Sequence, residues 1–143
     1  MTALPDGYRF VTEVADIDAA ATHAYLTRSY WSEGIPFETV ERALANSFCV
    51  AIVYGGAQVA FARLVSDRAT FAYLADVYVL EEYRGKGLSH AMLDFLHGHP
   101  EFQGLRRWAL FTRDAQGLYA AHGWKEYPYP DRMMTCDNPD VYR

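Results

Sequence analysis

The chain has 143 residues, of which 51% are hydrophobic and 15% aromatic, and a formal net charge of −5. That length allows one substantial apolar core rather than two, and the acidic balance argues against nucleic acid, whose phosphates demand a dense basic surface. No apolar run approaches the ~20 residues of a membrane span, and Met1-Thr2-Ala3-Leu4-Pro5-Asp6 lacks the basic and apolar parts of a signal peptide, so a soluble, cytoplasmic protein is expected.

In chain order, residues 8–12 read as a first strand and residues 18–26 as a helix with an acidic first turn. Residues 27–35 form a loop. Pro36 opens a second helix, in which Phe37, Val40 and Leu44 are expected to be the buried stripe. Residues 48–54 and 57–65 make a hairpin, because Gly55-Gly56 supplies the positive φ angles of a two-residue turn. Asp67-Arg68-Ala69-Thr70 turns the chain into a strand over residues 71–79. Leu88, Ala91, Met92, Phe95 and Leu96 then recur at helical spacing until Gly98 and Pro100 end the helix. Residues 105–112 return as a strand that should run parallel to the one before the helix. Thr112 or Asp114 can cap a short helix containing Tyr119 and His122, closed by Gly123. Two last strands are expected over 124–127 and 132–136, joined by Pro128-Tyr129-Pro130-Asp131. The sum is a mixed sheet flanked by helices, an α+β sandwich.

The loop Glu81-Glu82-Tyr83-Arg84-Gly85-Lys86-Gly87-Leu88-Ser89 joins that strand to that helix and carries the strongest chemical signal. The first N–H groups of a helix lack intrahelical partners and attract anions. Glycines at 85 and 87 let a phosphate approach the backbone, and Arg84 and Lys86 supply positive charge beside it. The loop is neither a nucleoside triphosphate P-loop, since Gly-x-x-x-x-Gly-Lys-Ser/Thr is absent, nor a good dinucleotide fingerprint, since a third glycine is missing. Other cations gather at Arg106, Arg107 and Arg113, a distribution that suits one anionic cofactor better than a polymer. Asp137 and Asp140 read as a solvated tail. Cys49 and Cys136 read as free thiols, and there is no zinc-type ligand spacing. His97-Gly98-His99 reads as a helix C-terminus, where imidazoles meet free carbonyls, in preference to a metal pair.

Arg84-Gly85-Lys86-Gly87-Leu88-Ser89 resembles the coenzyme A loop Arg-x-x-Gly-x-Gly/Ala of the GNAT superfamily of N-acetyltransferases, with Ser89 in the last small position. Leu118-Tyr119-Ala120-Ala121-His122-Gly123-Trp124 is similar to the family's Leu-Tyr-x-x-x-Gly-Phe segment, with Trp124 in place of phenylalanine. The resemblance implies a single GNAT-like domain over residues 1–143. It further implies a three-layer sandwich around a mostly antiparallel sheet of six to seven strands, with helices on both faces. A splayed parallel strand pair would bind acetyl-coenzyme A as co-substrate, with no metal. The contacts it implies are the backbone of Val77, Tyr78 and Val79, the loop from Arg84, Gly85, Lys86 and Gly87 to Leu88, Ser89 and His90, and Thr112, which stands where the family commonly has an asparagine.

The implied reaction is direct acetyl transfer to a primary amine of a small molecule or peptide in a ternary complex, with a homodimer left open. Tyr119 is the expected general acid toward the departing thiolate. A tyrosine near pKa 10 protonates a thiolate near 8.5 only uphill, by roughly 2 kcal/mol, so hydrogen bonding carries much of this role. For the base, Asp76 is a candidate because a carboxylate inside an apolar strand must be paired or working. Alternation puts it on the face of Leu74 and Tyr78. Glu33 is the other candidate, in a loop whose Tyr30 and Trp31 can line an acceptor pocket. Two other outcomes stay open: a coenzyme A-binding regulatory module without transfer activity, and a protein-lysine acetyltransferase.

Overall fold

Gly55 and Gly56 carry φ of +57° and +81° in the computed structural model of the chain, which describes residues 3–143. Met1 and Thr2, the start of the segment read for a signal peptide, lie outside the described residues. Two successive positive φ values match the twist of a tight hairpin, so β2 (Phe48–Tyr54) lies antiparallel to β3 (Ala57–Ser66). With β1 (Tyr8–Val11), β4 (Phe71–Val79) and β5 (Arg107–Ala109) these form a five-stranded sheet in the order β1-β2-β3-β4-β5. The first three pairings are antiparallel and β4 with β5 is parallel. The turn before β4 is built by Asp67, whose Oδ1 accepts from the N–H groups of Ala69, Thr70 and Phe71.

β2 shows how the layers form. Val50 and Ile52 point into a core shared with Leu88, Met92, Leu93 and Leu96 of α3 (Leu88–His97). Cys49, Ala51 and Val53 point the other way, into a core shared with Leu26 of α1 (Ala19–Leu26) and Val40 and Leu44 of α2 (Phe37–Ala45). Continuous apolar runs in β2 and β3 are thus explained by burial on both faces. Asp18 is the N-cap of α1, its carboxylate accepting from the Ala21 N–H at 2.9 Å. Pro36 precedes α2 as its N-cap.

Five expectations need correction. Phe37 is 40% exposed and meets His23 edge-on at the rim, so Val40 and Leu44 carry the stripe of α2. The strand expected over 105–112 pairs only at Arg107–Ala109, because β4 and β5 diverge beyond it. Residues 124–127 and 132–136 form no strand. Pro128 and Pro130 have no N–H to give a ladder, and Pro130–Arg132 becomes a 3₁₀ turn. The sheet is therefore short of the six to seven strands expected, and the C-terminal stretch is largely exposed until Tyr142 packs back against the core beside α1 and α2. At the end of α3, the carbonyls of His97 and His99 are taken by the Gln103 amide, so the imidazoles do not meet them: His97 accepts from Trp124 and His99 from the Glu101 N–H.

Candidate active site

The site begins with a fault in β4. Arg63 of β3 faces Ala75 and Phe61 faces Tyr78, so Asp76 and Val77 together oppose Ala62. That is a β-bulge, and Asp76 takes φ +57° to make it. The bulge reverses side-chain parity. Leu74 faces the α3 layer, whereas Tyr78 faces α1 and α2, so the expected common face of Leu74, Asp76 and Tyr78 does not exist. Two residues in register with one cost the strand its alternation.

On the opposite edge of β4, pairing with β5 stops at Tyr73 opposite Ala109. Among the described residues the edge from Leu74 to Val79 has no strand partner, and a cavity of about 770 Å³ opens over it, within the range of a cofactor or substrate site. Val77, Tyr78 and Val79 form its floor. One wall is Gly85, Gly87, Leu88, Ser89 and His90; the opposite wall is Asp114, Ala115, Leu118 and Tyr119, from α4 (Gln116–Ala120) and the turn before it. Tyr25, Arg28, Ser29, Tyr30 and Trp31 close the side toward α1.

Gly87 is the N-cap of α3 at φ +78° and Gly85 has φ +79°. A β-carbon at Gly85 would meet nothing within 4 Å, so the demand there is on the backbone angle and not on space. Arg84 braces this loop: Nε donates to the Val79 carbonyl at 3.0 Å and a terminal nitrogen to the Tyr25 hydroxyl at 3.3 Å. Lys86 is exposed and does not line the cavity. Nor does Thr112, whose hydroxyl accepts from the Ala115 N–H at 3.0 Å and so shapes the entry to α4. Glu33 is exposed and outside the wall as well.

Asp76 lies on the α1–α2 face of the sheet, in a separate small cleft of about 70 Å³ that also holds Tyr142. Both its oxygens are engaged: Oδ1 accepts from Trp31 Nε1 at 2.9 Å and Oδ2 from Arg63 Nε at 2.8 Å, while Arg63 also reaches Ser47. The carboxylate therefore fixes the indole that borders the cavity. Tyr30 is fixed differently, with the Arg113 guanidinium carbon 3.8 Å from its ring centre and the Arg113 N–H donating to its hydroxyl at 3.3 Å. This contact ties the loop before α2 to the turn before α4. Tyr25 stacks on Tyr78 at 4.0 Å and 7°, and the Tyr78 hydroxyl accepts from Gln58 inside a buried network with Thr22.

Tyr119 is buried at 9% exposure, and its hydroxyl makes no hydrogen bond to another side chain among the described residues. Burial first, and Tyr30 second, push its pKa up to about 12. Its carbonyl accepts from the N–H groups of His122 and Trp124 across Gly123, at φ +88°, which closes α4. Below it, His122 Nε2 lies 2.8 Å from His90 Nδ1, and His122 Nδ1 lies 3.3 Å from Asp94 Oδ1. Among the described residues no group of three or more His, Cys, Asp or Glu is arranged to hold a metal.

The structure thus brings Tyr30, Trp31, Val77, Tyr78, Val79, Arg84, Gly85, Gly87, Leu88, Ser89, His90 and Tyr119 to one cavity, and leaves Lys86, Thr112, Glu33 and Asp76 off its wall. Tyr25, Arg28, Ser29, Tyr83, Asp114 and Ala115 join it without having been singled out. Of these, Tyr83 stands beside the cradle, Ser29 beside Tyr30, and Asp114 was a candidate cap of the short helix.

The cleft thus lies between diverging parallel strands, with the N-terminus of α3 on one side and buried Tyr119 on the other. The sequence model of the acetyltransferase (GNAT) domain matches residues 45–126. A Xanthomonas campestris pv. campestris protein assigned to the GNAT acetyltransferases shares 42% identity over 98% of this chain and 99% of its own, with a TM-score of 0.93. A Gibberella zeae protein assigned as an acetyltransferase is 29% identical over 88% of this chain and 84% of its own. A Clostridium acetobutylicum protein of the same assignment, solved with acetyl-coenzyme A, shares the fold at 16% identity and a TM-score of 0.66, over 95% of this chain and 98% of its own. The chain belongs to the GNAT acetyltransferase family.

Proposed function

We propose that the protein transfers an acetyl group from acetyl-coenzyme A to a primary amine of a small molecule or peptide, by direct attack in a ternary complex. The observation that carries this reading is the unpaired edge of β4 lying between the α3 cradle and Tyr119. The pyrophosphate would sit on the N–H groups of residues 87–90, with Arg84 alongside. The pantetheine arm would take the hydrogen-bonding place that β5 vacates beside Val77, Tyr78 and Val79. An N–H freed at the bulge would donate to the acetyl oxygen as it gains charge.

The neutral amine attacks the carbonyl carbon, the C–N bond forms, the C–S bond breaks and the thiolate departs toward the Tyr119 hydroxyl. The proton lost by the amine passes to water. Asp76, saturated by Trp31 and Arg63, serves in this reading to position the indole. The Tyr30 to Arg113 contact across the acceptor side favours a confined amine over a protein lysine, which needs an open groove. The same reading takes residues 1–143 as one cytoplasmic domain, supported by two cores that share a single sheet.

The test is calorimetric titration of acetyl-coenzyme A into the wild type and an Arg84→Ala, Gly87→Glu variant, then a thiol-release screen of amines. Micromolar binding lost in the variant, with amine-dependent thiol release by the wild type, is expected. Binding without release for any amine would leave a coenzyme A-binding regulatory module, and no binding would refute the reading.

A further inference from the structure

Three side chains form a line that ends at the cavity: Asp94 Oδ1 is 3.3 Å from His122 Nδ1, and His122 Nε2 is 2.8 Å from His90 Nδ1. The two imidazoles also stack, with ring centres 5.0 Å apart. His90 lines the cavity at the third position of α3, and the nitrogen that His122 leaves unused is Nε2.

Proton counting decides what that nitrogen offers. With Asp94 ionised, His122 Nδ1–H donates to it. If the pair of rings is neutral, His122 has no other hydrogen, so its Nε2 accepts from His90 Nδ1–H and His90 Nε2 is a bare acceptor. With one more proton the pair holds three hydrogens on four nitrogens. One points to Asp94, one is shared between the rings, and the third must lie on His90 Nε2, which becomes a cationic donor.

We propose that His90 Nε2 is a proton-gated contact for the anionic pyrophosphate of coenzyme A, and that ligand binding draws one proton onto the His90–His122 pair. This rests on the acetyl-coenzyme A reading above. Without an anion, the positive end of α3 disfavours an imidazolium in its first turn, and the carboxylate that meets the pair directly is Asp94, at His122 Nδ1. An anion on the same N–H groups adds the second counter-charge. The other ionisable groups around the pair are Arg84 on the cradle, Asp114 and Tyr119 across the cavity, and His97, whose ring lies 6.5 Å from His122. His97 accepts from Trp124 Nε1 and is held uncharged by burial, so it does not supply the proton's site. Since the complex binds more protons than the free protein, affinity rises as pH falls.

The test is titration of dephospho-coenzyme A, whose pyrophosphate does not titrate between pH 6 and 8, in buffers of different ionisation enthalpy. The wild type should take up ~0.3–1 proton at pH 7 and lose roughly tenfold in affinity from pH 6 to 8. His90→Phe, which keeps a ring beside His122 but no nitrogen facing the anion, should take up clearly less proton and show a flatter pH profile. On unsubstituted protein, imidazole ¹⁵N spectra should show His90 Nε2 changing from acceptor to donor when ligand is added at pH 7. Binding by the wild type with no proton uptake, or equal uptake by His90→Phe, overturns the proposal. Failure of both coenzyme A and its dephospho form to bind overturns the acetyl-coenzyme A reading itself, and this inference with it.

Discussion

Removing one oxygen, Tyr119→Phe, tests the proposed chemistry most directly. Burial raises the phenol to about 12, against about 8.5 for an ordinary thiol, so complete proton transfer to the departing thiolate is uphill by roughly 5 kcal/mol. Tyr119 then acts as a neutral donor. A hydrogen bond to a charged acceptor is worth about 1.5–3 kcal/mol, which predicts a fall in kcat of roughly 10- to 150-fold. The KM for acetyl-coenzyme A should change by less than about twofold, because the bond forms only as sulfur gains charge. Since the hydroxyl has no side-chain partner among the described residues, thermal stability should stay within about 0.5 kcal/mol of wild type. The assay is initial-rate thiol release from pH 6.5 to 9.5 on wild type and variant with an amine found by screening. Unchanged kcat in the variant would refute the role. So would a wild-type descending limb between pH 9 and 10 that the variant lacks, because a phenol near 12 stays protonated throughout that range.

Asp76→Ala strips the partner from Arg63 and the acceptor from Trp31 and puts alanine at φ +57°, so calorimetry should show a melting temperature lower by about 10 °C. Asp76→Asn, which tolerates that φ and keeps an acceptor, should retain turnover; its loss would return Asp76 to the role of base. Cys49 is buried with its thiol pushed up to about 12, whereas Cys136 is exposed, so a disulfide reagent at pH 8 should titrate one thiol in the folded protein and the second only after denaturation. His97 must be unprotonated to accept from Trp124, and burial lowers its pKa. The unfolded chain therefore binds the extra proton first, and stability should fall as pH drops below about 6.5, with a smaller slope in His97→Gln, measured by denaturant midpoints.

The hairpin at Gly55-Gly56, the strand over residues 71–79 and the helix from Leu88 were legible because local signals agree with tertiary burial there. The cradle and Tyr119 were legible because a spaced motif encodes backbone geometry, positive φ at Gly85, Gly87 and Gly123, that few residues satisfy. Asp76 was misplaced because a bulge has no sequence signature: alternation extrapolated past it lands every later residue on the wrong face. Strands after Trp124 do not form despite their β-forming residues, because Pro128 and Pro130 lack an N–H and β5 offers only three residues to pair with. Tyr25 and Asp114 reach the cavity through long-range packing that no short window contains.

Asp76 and Val77, sharing one partner across the ladder, make the floor of the cavity a matter of counting. Tyr78 meets Tyr25 on one face and Val79 the α3 core on the other because of a single supernumerary residue upstream. Exchanging one side chain around the cleft leaves the register of β4 as it is. An insertion or deletion within β4 is another matter: it exchanges the two faces of the strand's end at a stroke. Length in this segment, as much as composition, therefore sets which side chains reach the cavity.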